Sequence, residues 1–466
     1  MALLHSFTYE EAGAAFRAVA KADSHCAMAH WGLAAAYIHP LWEPSLEPGS
    51  LAQGRAAIAD AQRLGAASAQ EQRLIAALAA FYAGDVPNRA RALAYEAEMA
   101  KAAQADPRDA EVQIFYALSV LATVSPADAT HAHQKKAAAI LEPLRTRFPA
   151  HPGIIHYLIH AYDNQELARQ GLAAAREYSR IAPSAPHALH MPSHTFTRLG
   201  LWSESIASNR AARRAAEQHG DTGEVLHSMD YLMYAYLQSG RAPEAKALLK
   251  ELAKMKLPES ASFKIGYAAS AMPVRYALER KSWAEALALV PPSSARPEVA
   301  ALTHWARALA ASRSGDLSTA DSSLAELVRC HQELLDAKSV YWSAQVGFQV
   351  KEAQAWIAFA RKDTATALRL MREAADEEDA LDKLPITPGP VIPAREQLGD
   401  LLLALDRAPD ALKEFEKALR LAPGRRNSII GARRAYKAQS SIAAPSPASR
   451  PAATTPKRPA ATPPKQ

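Results

Sequence analysis

His151, His156, His160, His187, His190, His194 and His227 crowd three segments, HPGIIHYLIHAYD (151–163), PHALHMPSHTFTRLG (186–200) and HSMDYLMYAYLQSG (227–240). Their spacing repeats. His156 and His160 stand seven and eleven residues after Pro149, and His190 and His194 stand seven and eleven after Pro183. Counting back from Gly200 and Gly240, His187 and His227 each stand thirteen residues before, His190 and Asp230 ten, and His194 and Tyr234 six. Residues four apart share one face of a helix, so each histidine pair points one way. Neutral imidazoles so placed, with a carboxylate on a neighbouring helix, suit zinc, iron, copper or nickel. The candidate ligands of a divalent transition metal are therefore His156, His160, His190 and His194. Asp163 or Asp230 would serve as a fourth ligand or as the group that fixes a tautomer.

The segments that must hold these side chains read as helical hairpins. The chain is rich in alanine and has only 7% aromatic residues, with few runs of Val, Ile or Thr from which strands are built. YEEAGAAFRAVAKAD (9–23) and CAMAHWGLAAAY (26–37) have helical periodicity on either side of a break at Asp23-Ser24. REQLGDLLLALDRAPDALKEFEKALRLAPGR (395–425) places Gly399, Ala411, Phe415, Ala418 and Pro423 at the small, small, aromatic, small and proline positions of the tetratricopeptide repeat, which it resembles. Weaker versions occur at 91–121 and after Gly200, Gly240 and Gly315. Prolines interrupt the pattern at 39–50, 255–300 and 380–393, where longer loops or degenerate repeats are expected. The fold class is all-α: tetratricopeptide-like hairpins stacked into a right-handed superhelix over residues 1–437. Residues 438–466 are expected to form a disordered, basic Pro/Ala-rich tail.

In the repeat register Tyr9 begins a second helix, so LLHSF would close a first helix whose start lies upstream. Such a start would carry room for an export signal. The expectation is therefore cytoplasmic as the chain stands and periplasmic with an upstream signal peptide. The formal net charge of +6 includes Arg450, Lys457, Arg458 and Lys465 of the acid-free tail, leaving +2 for the rest. That is too little for an electrostatic footprint, and nucleic acid is set aside as a partner. No apolar run approaches the roughly 20 residues of a membrane helix. Cys26 and Cys330 form no CxxC motif, and one long-range disulfide between them stays open. Glycines are spread singly, and no nucleotide-binding loop or nucleophilic serine or cysteine constellation is present.

AMAHWG near the start, HPGIIHYLIHAYD and APHALHMPSHTFTRLGLW together resemble a family of bacterial tetratricopeptide-repeat proteins, over most of residues 1–250. The resemblance to the repeat implies that the histidine-bearing segments are first helices lining the concave face. It implies a ligand groove formed by His187, Arg198, His227, Asp230 and Tyr234 beside the candidate metal ligands. Isolated histidines, among them His5, His25, His131, His133, His219, His304 and His331, are read as surface or packing residues. His30, Trp31, His39 and Trp42 form a thinner second cluster. Three functions remain open: a scaffold whose groove binds a protein, peptide or small ligand with a divalent metal, a metal-dependent hydrolytic enzyme with Asp163 or Asp230 as base, and an assembly scaffold without a site.

Overall fold

The computed structural model of the protein describes residues 1–39, 41, 48–125, 127–257, 262–292 and 295–443. Trp42 and the tail beyond Ala443 lie outside the described residues, and the last helix, Arg426–Ala443, runs past the expected boundary at 437. Among the described residues there are helices and no strand, and no helix is long and apolar enough to cross a membrane. Consecutive helices pair as antiparallel hairpins and the hairpins stack, so the chain is an α-solenoid.

Local signals explain the helix ends. Ser68 and Glu71 form a reciprocal capping box. Asp109, Asp221, Asp316 and Asp363 each accept a backbone N–H of the first turn. Pro152 and Pro186 open their helices, where a missing N–H costs nothing. The stacking rests on small residues facing aromatics. A Cβ on Gly399 would lie 2.7 Å from Phe415 Cζ, and one on Gly431 would collide with the same ring. Gly32 meets Phe16 in the same way.

First helices turn inward and carry most of the buried surface. Every residue of Thr222–Gln238 except Thr222 is buried, polar ones included. The superhelix closes on itself, bringing the C-terminal repeat against the histidine-bearing ones. Gly200, at φ +69°, presses on the Pro423 carbonyl, Trp202 Nε1 donates to the Gly424 carbonyl at 3.1 Å, and Gln165 Nε2 donates to the Arg420 carbonyl at 2.8 Å. The fully buried Arg425 ties Glu279 and Glu396 together, each at 2.8 Å.

The proline-rich segment 381–393 crosses this concave face. Tyr231 Oη donates to the Pro385 carbonyl at 3.0 Å, and Arg275 reaches Thr387 Oγ1 and the carbonyls of Gly389 and Pro390 at 2.9–3.1 Å. Cys26 and Cys330 are both free thiols, which closes the option of a disulfide. Phe415→Ala, removing a ring with no exposure that two glycines were left bare to receive, should cost about 3–5 kcal/mol, read as a drop in the urea midpoint.

Candidate metal centre

Six imidazoles meet in two adjacent trios. His156 and His160 project from Pro152–Ala161 and meet His187 of Pro186–His190. His156 Nε2 lies 3.2 Å from His160 Nε2 and 3.1 Å from His187 Nε2. Pro192 splits the next first helix into Pro186–His190 and Pro192–Arg198, so His190 and His194 stand either side of the break. Their Nε2 atoms are 2.9 Å apart, and His227 of Thr222–Gln238 completes the trio. The trios face each other, with ring centroids 6.2 Å apart for both His160–His194 and His187–His190.

The outer nitrogens decide the tautomers. His190 Nδ1 donates to Asn209 Oδ1 at 2.7 Å, and the orientation of that amide is fixed because its Nδ2 donates to the Ser205 carbonyl at 2.8 Å. His194 Nδ1 donates to Asp163 Oδ2 at 2.8 Å. Asp163 also faces Arg198 Nε at 2.9 Å and Lys383 Nζ at 3.2 Å, and these cations hold its carboxyl well below the usual range despite burial. With both Nδ1 protons given outward, His190 and His194 turn two lone pairs toward each other at 2.9 Å. A cation between them would relieve that opposition. A proton is disfavoured: burial lowers the pKa of His194 and pushes that of His190 well down.

The first trio is similarly braced. His156 Nδ1 donates to the His5 carbonyl at 2.6 Å, and His187 Nδ1 lies 3.5 Å from Glu224 Oε1. A tetrahedral ion with bonds of about 2.0–2.1 Å to imidazole sets its donors roughly 3.3–3.4 Å apart, close to the 3.2 and 3.1 Å around His156, while the 2.9 Å between His190 and His194 is shorter. Burial holds His156, His160 and His227 well below 6.5, so these donors too are neutral at neutral pH.

Other residues fall elsewhere. Asp163 lies behind His194 as its acceptor. Asp230 forms a buried ion pair with Arg275 at 2.9 Å, and Tyr234 Oη accepts from Arg425 at 3.3 Å, so both belong to the network beneath segment 381–393 and not to either trio. Neither aspartate is a free base. Segment 381–393 lies over Asp230 through its carbonyls on Arg275 and Tyr231, while Arg198 and Tyr234, expected in the groove, line a cavity of about 280 Å³. His187 and His227, expected in the groove, are instead members of the trios.

His5, read from sequence as isolated, braces His156, and its ring accepts from Tyr157 Oη at 3.0 Å. Glu111 accepts from His5 Nε2 at 2.9 Å and from His151 Nε2 at 3.1 Å. Protons account for that third group without a metal. Trp31 is a packing residue whose Nε1 donates to the Leu74 carbonyl, and His39 stacks on Tyr9.

Of the six histidines only His160, 8% exposed, borders open space; the others are at 3% or less. It opens with Asp163 and Lys383 onto a cavity of about 500 Å³ walled by Ile38, Tyr95 and Trp342. Burial brings Lys383 down to about 8.

No protein-family model matches the chain, and no curated protein matches it. Among solved structures, the human IFIT1 dimer with m7Gppp-AAAA is 15% identical, with 85% of this chain and 90% of that chain covered at a TM-score of 0.40. An IFIT1 monomeric mutant with Gppp-AAAA is 13% identical, with 88% and 90% covered at a TM-score of 0.37. A circular tandem repeat protein is 11% identical, with 95% and 98% covered at a TM-score of 0.15. These likenesses lend this chain no ligand.

Proposed function

We propose that this helical-repeat protein is a metalloprotein, with one transition-metal ion held by His156, His160 and His187 and a second by His190, His194 and His227. The observation that carries the reading is the pair of facing lone pairs on His190 and His194, each with its outer nitrogen committed to an acceptor. Three neutral imidazoles with one position left over suit zinc, copper, iron or nickel. His160 turns the first of these sites toward the 500 Å³ cavity. That volume fits a small ligand, while a peptide would find the concave face covered by segment 381–393.

A second reading, catalysis, is favoured by Lys383. Its ammonium, brought to about 8 by burial, stands at the mouth of the cavity beside His160 and Asp163 and is placed to exchange a proton with a bound ligand. A bound metal would supply Lewis-acid chemistry there. Asp163 keeps the lysine in position.

Elemental mass spectrometry of purified protein should show up to two metal ions per chain, with one lost in H156A/H160A and the other in H190A/H194A. Folded wild type that stays metal-free after incubation with zinc, iron, copper and nickel would overturn the reading. Asn209→Leu should weaken metal affinity about 10–100-fold by removing the acceptor behind His190, measured by chelator competition.

The metal-free protein should also lose stability as pH falls below about 6.5. Buried imidazoles held under 6.5 bind fewer protons folded than unfolded, so acid favours the unfolded chain. Urea midpoints from pH 8 to pH 5.5 check this, and a flat profile would contradict it.

A further inference from the structure

A second cavity, of about 280 Å³, lies alongside the first and shares Tyr341, Trp342, Asp382 and Lys383 with it. Its walls come from Pro297–Ser314, Val340–Ala360 and Thr364–Asp379 together with segment 381–393. Five carboxyl groups line it: Asp128, Glu352, Glu378, Asp379 and Asp382. Glu352 is 1% exposed. Gln397 and Trp305 approach its carboxyl group, yet Glu352 Oε2 and the neighbouring Gln349 Oε1 have no hydrogen-bonding partner within the protein. Glu378 accepts the backbone N–H of Ala394 at 2.7 Å.

The basic residues nearby are spent elsewhere. Arg395 bonds Asp376, Asp379 and Glu414, and Arg425 bonds Glu279 and Glu396. None of the ion pairs formed among the described residues includes Glu352 or Glu378. Arg198 and Lys383 also line the cavity but pair with Asp163, and a buried carboxylate without a partner is costly, so Glu352 lacks a positive charge that these paired cations leave unsupplied. The lining also carries aromatic rings: Trp342 stands with ring centroids 5.4 Å from Tyr267 and 5.0 Å from Tyr341, with Tyr234 and Trp305 in the same wall. Carboxylates beside aromatic faces attract organic cations through Coulomb and cation–π terms. A hard metal ion would want a shell of oxygens and no aromatic wall.

We propose that this cavity binds an organic ammonium group, with Glu352 and Glu378 as its counter-charges and Trp342, Tyr341 and Tyr267 around its hydrocarbon part. The inference does not depend on the histidine cluster. In the empty cavity burial raises both carboxyls, Glu378 to about 7 and Glu352 well above its ordinary value. An entering ammonium therefore displaces protons to solvent.

Isothermal titration calorimetry with n-pentylammonium, neutral n-pentanol, Nα-acetyl-lysinamide and Ca²⁺ tests this, on metal-loaded and chelator-treated protein alike. Saturable binding of an ammonium probe is expected in both preparations, with protons released, and n-pentanol should not match it. E352Q/E378Q should bind at least tenfold more weakly. Tighter binding of n-pentylammonium identifies a free amine as the ligand, and equal or tighter binding of the lysinamide identifies a lysine side chain. Absence of ammonium binding by wild type, binding equal to that of n-pentanol, binding of Ca²⁺ alone, or full affinity in folded E352Q/E378Q would each overturn the proposal. If that double variant does not fold, E378Q alone carries the same comparison. Metal content measured on the same samples separates this result from the fate of the histidine sites.

Discussion

Two imidazole nitrogens held 2.9 Å apart, each on a ring whose outer nitrogen donates to an acceptor, are the constraint around which the central repeats are built. Each inner lone pair on His190 and His194 exists because an outer nitrogen is engaged, and the engaging groups come from different repeats. Asn209 belongs to the second helix of the same hairpin, and Asp163 belongs to the hairpin before it. The His5 carbonyl behind His156 comes from the very start of the chain. A deviation of one helix turn in any of these elements would free a ring to rotate. The solenoid acts here as a jig, and its stacking accuracy becomes the accuracy of the nitrogen set.

Such a centre is costly to bury, and the surrounding first helices show how the cost is offset. Several charged groups in the interior come in closed sets: Asp230 with Arg275, Arg425 with Glu279 and Glu396, Asp163 with Arg198 and Lys383. Isolated, any of these ions would be severely destabilising; paired and hydrogen-bonded, each is tolerated. Segment 381–393 contributes backbone carbonyls to two of these sets. Prolines suit that role, since they stiffen the chain and bring acceptors without adding N–H groups that would themselves need partners.

Much of this was legible in the residues. Gly399, Ala411 and Phe415 announce hairpin packing because a bare Cα and a ring must meet, and the glycines of the first and last repeats do face rings. The pairs His156/His160 and His190/His194 were readable because a four-residue spacing fixes a shared face whatever surrounds it. The register also made His187 and His227 equivalent, but equivalence in sequence says nothing of distance between helices, so their place in the trios was hidden. Extending the register to Asp230 and Tyr234 likewise left their partners unread. Those positions face Arg275 and Arg425, which arrive from later repeats. Lys383 lies 220 residues from Asp163, and only the closure of the superhelix brings them together. Asn209 looked like one more polar residue on a second helix.

Segment 381–393 also sets a time scale. It is tied over the inner trio by Tyr231 and Arg275, and Tyr231 Oη stands 3.4 Å from His194 Nε2. An ion held by His190, His194 and His227 would leave only on detachment of that strap, a local unfolding event. An ion at His160 has the cavity before it. Ions held as proposed would therefore differ in residence time, exchangeable at one trio and kinetically sealed at its neighbour.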